Sequence, residues 1–176
     1  MTSTTDSSAA AERRAWLASR SAEPWGTVIP AMDPRQRSAL RRHWHYLAHD
    51  GQLPPPGDWH CWLVMAGRGF GKTRAGAEWV SAIARRDGSA RIALVGASLG
   101  EARRVMVEGP SGLLAIAAPG QRPRFEPSRG LLRWRSGAEA RLYSAAEPES
   151  LRGPQHSHAW CDEIAKWDNS GGRATA

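Results

Sequence analysis

Lysine is nearly absent from a chain rich in positive charge: of 24 basic residues only Lys72 and Lys166 are lysine, and the other 22 are arginine. Arginine usage this heavy can follow coding bias as well as selection, so a position that keeps lysine points to a need for a compact ammonium. Cysteine is scarce too. Cys61 and Cys161 lie far apart without CxxC spacing, which argues against a zinc site and a disulfide framework. Both sit in apolar runs and are expected to be buried core thiols. No apolar run approaches the ~20 residues of a membrane-spanning helix. The opening "MTSTTDSSAAAERRA" is small and polar and has no apolar core, so it does not read as a secretory signal. A cytoplasmic protein is expected, and no internal repeat is visible.

With 176 residues, 41% of them apolar and 23% charged, the chain has the composition of one soluble domain with a tail. A net charge of +7 and a pI near 10.6 imply an anionic partner: nucleic acid, nucleotide or an acidic surface. The charge is uneven. Residues 66–91 carry six basic and two acidic side chains, and residues 101–141 carry eight and four. Residues 142–176 carry three and five, so the carboxylates of the last stretch need their own explanation.

Residues 1–29 read as a mostly disordered tail with a short helix around 9–19. A helix is expected from Asp33-Pro34, an N-cap followed by proline at the first helical position, to about Leu47. "DGQLPPPGDWH" then breaks regular structure. From there β and α patterns alternate. "HCWLVM" (60–65) predicts a buried strand, residues 72–86 a helix with Trp79, Val80 and Ile83 on one face, and "RIALVGA" (91–97) a second buried strand. Residues 99–107 look helical, "LLRWRSGAEARLYSA" (131–145) predicts a hairpin turning at Ser136-Gly137, and "SHAWCDEIAKW" a short apolar strand ending in two carboxylates. This alternation argues for an α/β domain over residues 30–167, a mostly parallel sheet with helices on both faces, followed by an irregular tail over 168–176.

"AGRGFGKT" (66–73) spends three glycines in five positions directly after an apolar run. A glycine-rich turn between a strand and a helix aims successive backbone N–H groups inward at the positive end of the helix dipole, which makes an anion cradle. Gly67, Gly69 and Gly71 let the backbone fold around phosphate oxygens with no Cβ in the way. Ala66, Gly67, Arg68, Gly69, Phe70, Gly71, Lys72 and Thr73 thus read as a nucleotide-binding loop. Lys72 reaches the β- and γ-phosphates, and the Thr73 hydroxyl ligates magnesium. The pattern G-x-x-x-x-G-K-[ST] departs only at its first position, where Ala66 fits if its φ is negative. The plain alternative is a glycine-rich turn without a ligand.

Hydrolysis needs a second element, a carboxylate to orient magnesium and a base for the attacking water. "HAWCDE" supplies both, with Asp162 toward the metal through its water and Glu163 as the base. On its own the pair is an ordinary strand end. Together with the glycine-rich loop it becomes a site.

"PGDWHCWLVMAGRGFGKTRAGAEWV", "RIALVGASLGEARRVMVEGPSGLL" and "LRGPQHSHAWCDEIAKW", in this order, resemble the ATPase domain of the large terminase subunit of tailed bacteriophages, particularly the forms found in prophages and gene transfer agents. The resemblance covers about residues 30–167. It implies a P-loop NTPase fold of the RecA-like (ASCE) kind, with ATP and Mg2+ as cofactors. The implied activity is an ATP-driven motor that packages double-stranded DNA into a preformed capsid in the host cytoplasm. Its implied partners are the portal protein of the procapsid, the small terminase subunit and further copies of itself in a ring. Lys72 and Thr73 fall on the family's Walker A residues, and Asp162 and Glu163 on its Walker B pair. Arg68 stands where terminases often carry an arginine that senses or holds the γ-phosphate, the alternative being a solvated loop arginine. Arg152, in "LRGP" eleven residues before Glu163, resembles the arginine that such motors insert into a neighbour's site. Whether it acts in its own subunit or the next is open, as is a plain surface role.

The resemblance also implies a coupling motif, a lid region and a nuclease domain beyond Walker B. The chain ends 13 residues after Glu163, so a truncated or frameshifted product is expected, with marginal stability, weak turnover and no nuclease activity. A helicase-like translocase and a non-catalytic nucleotide-binding remnant would carry the same motifs. Trp59 and Trp62 are expected in the core, with contact to adenine as the alternative. His156 and His158 would share a strand face but lack a suitable third ligand, and are read as structural.

Overall fold

The computed structural model describes residues 31–34, 37 and 44–167, and the chain divides into two units, residues 1–70 and 71–176. In the first unit the Arg37 N–H donates to the Asp33 carbonyl at 3.0 Å, and Trp44–Leu47 forms α1, both within the span expected to be helical. The stretch between them, the helix expected around 9–19 and the tail over 168–176 lie outside the described residues. A 3₁₀ turn, Asp50–Gln52, follows.

The strand expected over residues 60–65 is not formed, and Leu63 and Met65 are 65% and 84% exposed. A strand persists where another strand takes up its N–H and C=O groups, and among the described residues of this unit there is none. The same correction reaches its neighbours. Cys61 is exposed rather than a core thiol. Trp59 and Trp62 pack edge-on against each other, 6.3 Å between ring centres, and the Trp59 indole N–H donates to the Pro55 carbonyl at 3.1 Å.

In the second unit, α2 runs from Lys72 to Arg86, as expected. Ala77, Val80, Ile83 and Ala84 recur at helical spacing and are buried, while Arg85 and Arg86 close the last turn, where cations suit the helix dipole. Five strands follow: β1 (Arg91–Gly96), β2 (Arg124–Glu126), β3 (Leu131–Arg133), β4 (Glu139–Ser144) and β5 (His158–Cys161). Their order is β2-β3-β4-β1-β5. β1 pairs in parallel with β4 and with β5, so Leu94 faces both Leu142 and Trp160. β3 pairs antiparallel with β2 and β4. The sheet is therefore mixed rather than mostly parallel, because the expected hairpin at Ser136-Gly137 (φ 102° at Gly137) makes one antiparallel pair and β2 adds another.

Between β1 and β2 lie α3 (Leu99–Glu101), a π-helical turn over Ala102–Val107 and α4 (Leu113–Ile116). The Glu108 N–H reaches back five residues to the Arg103 carbonyl at 3.0 Å.

Alternation along β1 splits the core. Ile92 and Leu94 join Val80, Met106, Val107, Leu113, Leu132, Trp134 and Trp160 in the main cluster, while Ala93, Val95 and Tyr143 form a smaller one on the other face. Among the described residues of this unit, α2, the π turn and α4 pack on the first face and no α-helix joins the second cluster, unlike the expected helices on both faces. The second is covered by Leu151 and Trp167 from loops. The connection from β4 to β5 explains this. It crosses that face, but Pro148, Gly153 and Pro154 leave it only a 3₁₀ turn, Pro148–Leu151. Cys161, at the end of the outermost strand, is exposed, again against expectation.

Candidate nucleotide site

The parallel strands β1, β4 and β5 end on the same side, at Gly96, Ser144 and Cys161, and that edge is where open parallel sheets collect ligands. α2 runs antiparallel to β5 and begins at this edge. The Trp79 ring lies 5.9 Å from His158, Gly76 lies under Trp160, and the Lys72 ammonium is near enough to Asp162 to favour its anion. Gly76 is what allows the approach. A Cβ there would stand 2.5 Å from Trp160 Nε1 and 2.7 Å from Cζ2, and closer still to Cε2.

Asp162 is 9% exposed. Its N–H donates to the Val95 carbonyl at 2.9 Å, continuing the ladder, and its own carbonyl accepts from the Trp167 indole at 3.1 Å. Burial pushes its carboxyl above the usual carboxylate range; Glu163 and Glu101 push the same way, and Lys166 and Lys72 pull back. A shallow cleft beside it is lined by Gly96, Ala97, Glu101, Ala102 and Met106. Gly96 again admits a neighbour, since a Cβ would lie 3.0 Å from that of Ala102 in the π turn.

Glu163 follows in the left-handed region, φ 51° and ψ 48°, the only non-glycine residue with positive φ among those described. Such a conformation costs about 1–2 kcal/mol and concentrates at functional sites. It swings the carboxylate away from the buried side of Asp162 and starts the 3₁₀ turn Ile164–Lys166. Lys166 Nζ stands 3.2 Å from Glu163 Oε2 and 3.2 Å from Glu101 Oε1. Neither Lys166 nor Glu101 carries a role in the sequence motifs. The available signal was the scarcity of lysine itself.

The loop residues Ala66–Phe70 belong to the first unit. Gly69 has φ 82°, a Cβ added at Gly67 or Gly69 would meet nothing within 4 Å, and Ala66 avoids positive φ, as its fit requires. Arg68 is exposed. The Phe70 carbonyl accepts from Gln52 Nε2 at 2.6 Å, and its ring stands edge-on to His49 at 4.6 Å. Gly71, in the second unit, enters α2 in the left-handed region, φ 90°.

Residues 63–171 match the family model described as terminase large subunit, T4likevirus-type, N-terminal. The chain belongs to the large terminase subunit family. No curated protein and no solved structure matches it. The matched span of this terminase chain takes in the glycine-rich loop, α2, all five strands and the Asp162-Glu163 pair. Arg152 lies on the β4–β5 connection, highly exposed and ion-paired with Glu149 at 2.8 Å, away from the carboxylate cluster in sequence and with its charge already engaged.

One expectation about the histidines fails here. His156 and His158 do not share a face, because β5 begins only at His158: the His156 ring packs on Tyr143 at 5.2 Å, in the small cluster, and His158 on Trp79. Among the described residues no group of three His, Cys, Asp or Glu side chains is placed to hold a metal ion.

Proposed function

We propose that this large terminase chain is an ATP-hydrolysing motor domain of a DNA-packaging machine, with a RecA-like P-loop fold. The observation that carries the reading is that the start of α2, with Lys72, and the end of β5, with Asp162, lie at the same carboxyl edge of the sheet, near enough for their charges to act on each other. The residues fit magnesium and a nucleotide. Thr73 and Asp162 offer the hard oxygen donors that magnesium takes, and a divalent cation would relieve the cost of ionising a buried carboxylate crowded by Glu163 and Glu101. Gly67 and Gly69 leave open space where side chains would otherwise stand.

The chemistry that a magnesium ion held there would supply is neutralisation of charge on the phosphoryl group as it leaves. Lys72 would donate to phosphate oxygens, and the Thr73 hydroxyl and the Asp162 carboxylate would hold the cation. Glu163 accepts a proton from the attacking water, while Arg68 and Arg152 offer guanidinium groups to the γ-phosphate, Arg152 only after releasing Glu149. Double-stranded DNA, the portal protein, the small terminase subunit and neighbouring copies in a ring are the partners this reading carries, in the host cytoplasm. Arg104, Arg122, Arg124, Arg135 and Arg141 are exposed and are the residues assigned to DNA phosphates, whereas Arg103, Arg129 and Arg133 are ion-paired with Glu108, Glu126 and Glu139.

Equilibrium binding of a fluorescent ATP analogue and phosphate release, both in magnesium, test the reading. Lys72→Ala loses nucleotide affinity with its circular dichroism unchanged. Glu163→Gln keeps affinity and loses turnover. Undiminished affinity in the first variant, or undiminished turnover in the second, refutes the corresponding role.

A further inference from the structure

Lys166, the second lysine of an arginine-rich chain, lies outside the glycine-rich loop and sits among the carboxylates beside Asp162. Its Nζ bridges Glu101 Oε1 and Glu163 Oε2 at 3.2 Å each. Glu101 is a firm anchor, because Ser98 Oγ accepts its N–H at 3.2 Å and caps α3. The backbone around Glu163 is held as well: the Lys166 N–H donates to the Glu163 carbonyl at 2.8 Å, and the Trp167 indole to the Asp162 carbonyl. The Glu163 side chain is different. It is 42% exposed on a left-handed residue, among the like charges of Asp162 and Glu101.

We propose that Lys166 is a positioning residue, whose ammonium ties the Glu163 carboxylate to Glu101 and so fixes where the base stands. The proposal rests on the reading of Glu163 as the base for water. An ammonium suits the task because its separate N–H donors can serve two carboxylates at once, whereas a guanidinium fork is shaped for both oxygens of one. Removing the cation leaves Glu101, Asp162 and Glu163 to repel one another, and the exposed carboxylate is the one free to turn outward. Misplacing a catalytic group by ~1 Å can cost about 100-fold in rate.

Lys166→Met, which keeps the stem and removes the charge, tests this on the whole chain. At saturating ATP and magnesium, phosphate release should fall about 10- to 100-fold while nucleotide affinity holds, and Lys166→Arg, which keeps the charge but not the geometry for two carboxylates, should restore only part of the loss. A second readout needs no turnover: in the nucleotide-free protein, NMR scalar couplings about the Glu163 Cα–Cβ bond should report one rotamer in the wild type and averaging in Lys166→Met. Normal turnover in Lys166→Met, alongside turnover that still needs Glu163, overturns the proposal and leaves the ATPase reading standing. If the wild type shows no turnover that depends on Glu163, the ATPase reading falls and the couplings decide the clamp: one rotamer lost with the charge upholds it, and identical averaging in both proteins overturns it.

Discussion

Gly76→Ala should destabilise this protein although it removes glycine from the middle of a helix. In an unobstructed helix interior the change gains about 1 kcal/mol. Here the new methyl would fall 2.5–2.7 Å from Trp160 Nε1 and Cζ2, well inside van der Waals range, and the obstacle is a rigid indole that is itself 8% exposed and wedged between α2 and β1. Overpacking of this kind costs about 1–3 kcal/mol, so the net effect is a loss of up to about 2 kcal/mol. Because Trp160 lies two residues before Asp162, relief of the clash by shifting β5 would also move the carboxylate and weaken magnesium-dependent nucleotide binding. Urea denaturation of four proteins, wild type, Gly76→Ala, Trp160→Leu and the double variant, gives the answer as a cycle. The glycine substitution should lower the midpoint in the native background and raise it once the indole is gone, with a coupling of about 2 kcal/mol. A raised midpoint in the native background would refute the packing argument outright.

Asp162→Asn should stabilise the nucleotide-free protein near pH 7. The folded-state pKa of Asp162 is raised, so its ionised form is the penalised one: the penalty is absent below the unfolded value of about 3.9 and complete above the folded value. The advantage of asparagine should therefore vanish on acidification, and an advantage equal at both ends of the pH range would contradict it. His156 behaves in the opposite sense, its pKa lowered by burial and by Arg141, so stability that is complete above about pH 6.5 is lost as pH falls below it through the lower folded-state value. His156→Phe should flatten this part of the profile in thermal melts between about pH 7 and 5. Arg124→Ala with Arg135→Ala should weaken duplex DNA binding equally for unrelated sequences and reduce the salt slope by about 0.9 for each phosphate no longer neutralised. An unchanged slope in fluorescence anisotropy would clear these two arginines of any role in holding DNA.

Local signals carried the elements that one segment can specify by itself. α2 is legible because its apolar residues recur at helical spacing from Lys72 to the charged end at Arg85-Arg86, and the hairpin because Ser136-Gly137 supplies the left-handed turn. Residues 60–65 are as apolar as β1 and yet form no strand, since a strand's existence depends on a partner that no property of the segment reports. The face assignment failed for a related reason. Alternating β and α patterns suggest helices on two sides, but the segment returning from β4 to β5 carries Pro148, Gly153 and Pro154 and can only cross as a loop. Both cysteines are exposed for the same reason: an apolar run implies burial only where its strand is formed and covered, and here one strand is unformed and the other outermost.

At the candidate site, the residues proposed for the chemistry stand out in the sequence, and those that place them do not. Phosphate, metal and water call for lysine, hydroxyl and carboxylate at particular spacings, so Lys72, Thr73, Asp162 and Glu163 stand out in one dimension. Gly76 looks like a poor helix residue until the Trp160 ring is found above it, and Glu101 looks like any surface glutamate until Lys166 joins it to Glu163 from 65 residues away. Glu163 combines both kinds. Its identity is written in the motif, but its left-handed backbone is not: a glutamate gains nothing intrinsically from φ 51°, and glycine would adopt it more cheaply. The neighbouring hydrogen bonds to the Asp162 and Glu163 carbonyls hold that conformation against its cost, which lets Asp162 stay buried while the next carboxylate emerges toward Lys166. Two adjacent acids thereby acquire different surroundings, one dry and one wet, and under the proposed reading that difference would let one hold a cation while the other keeps a water within reach.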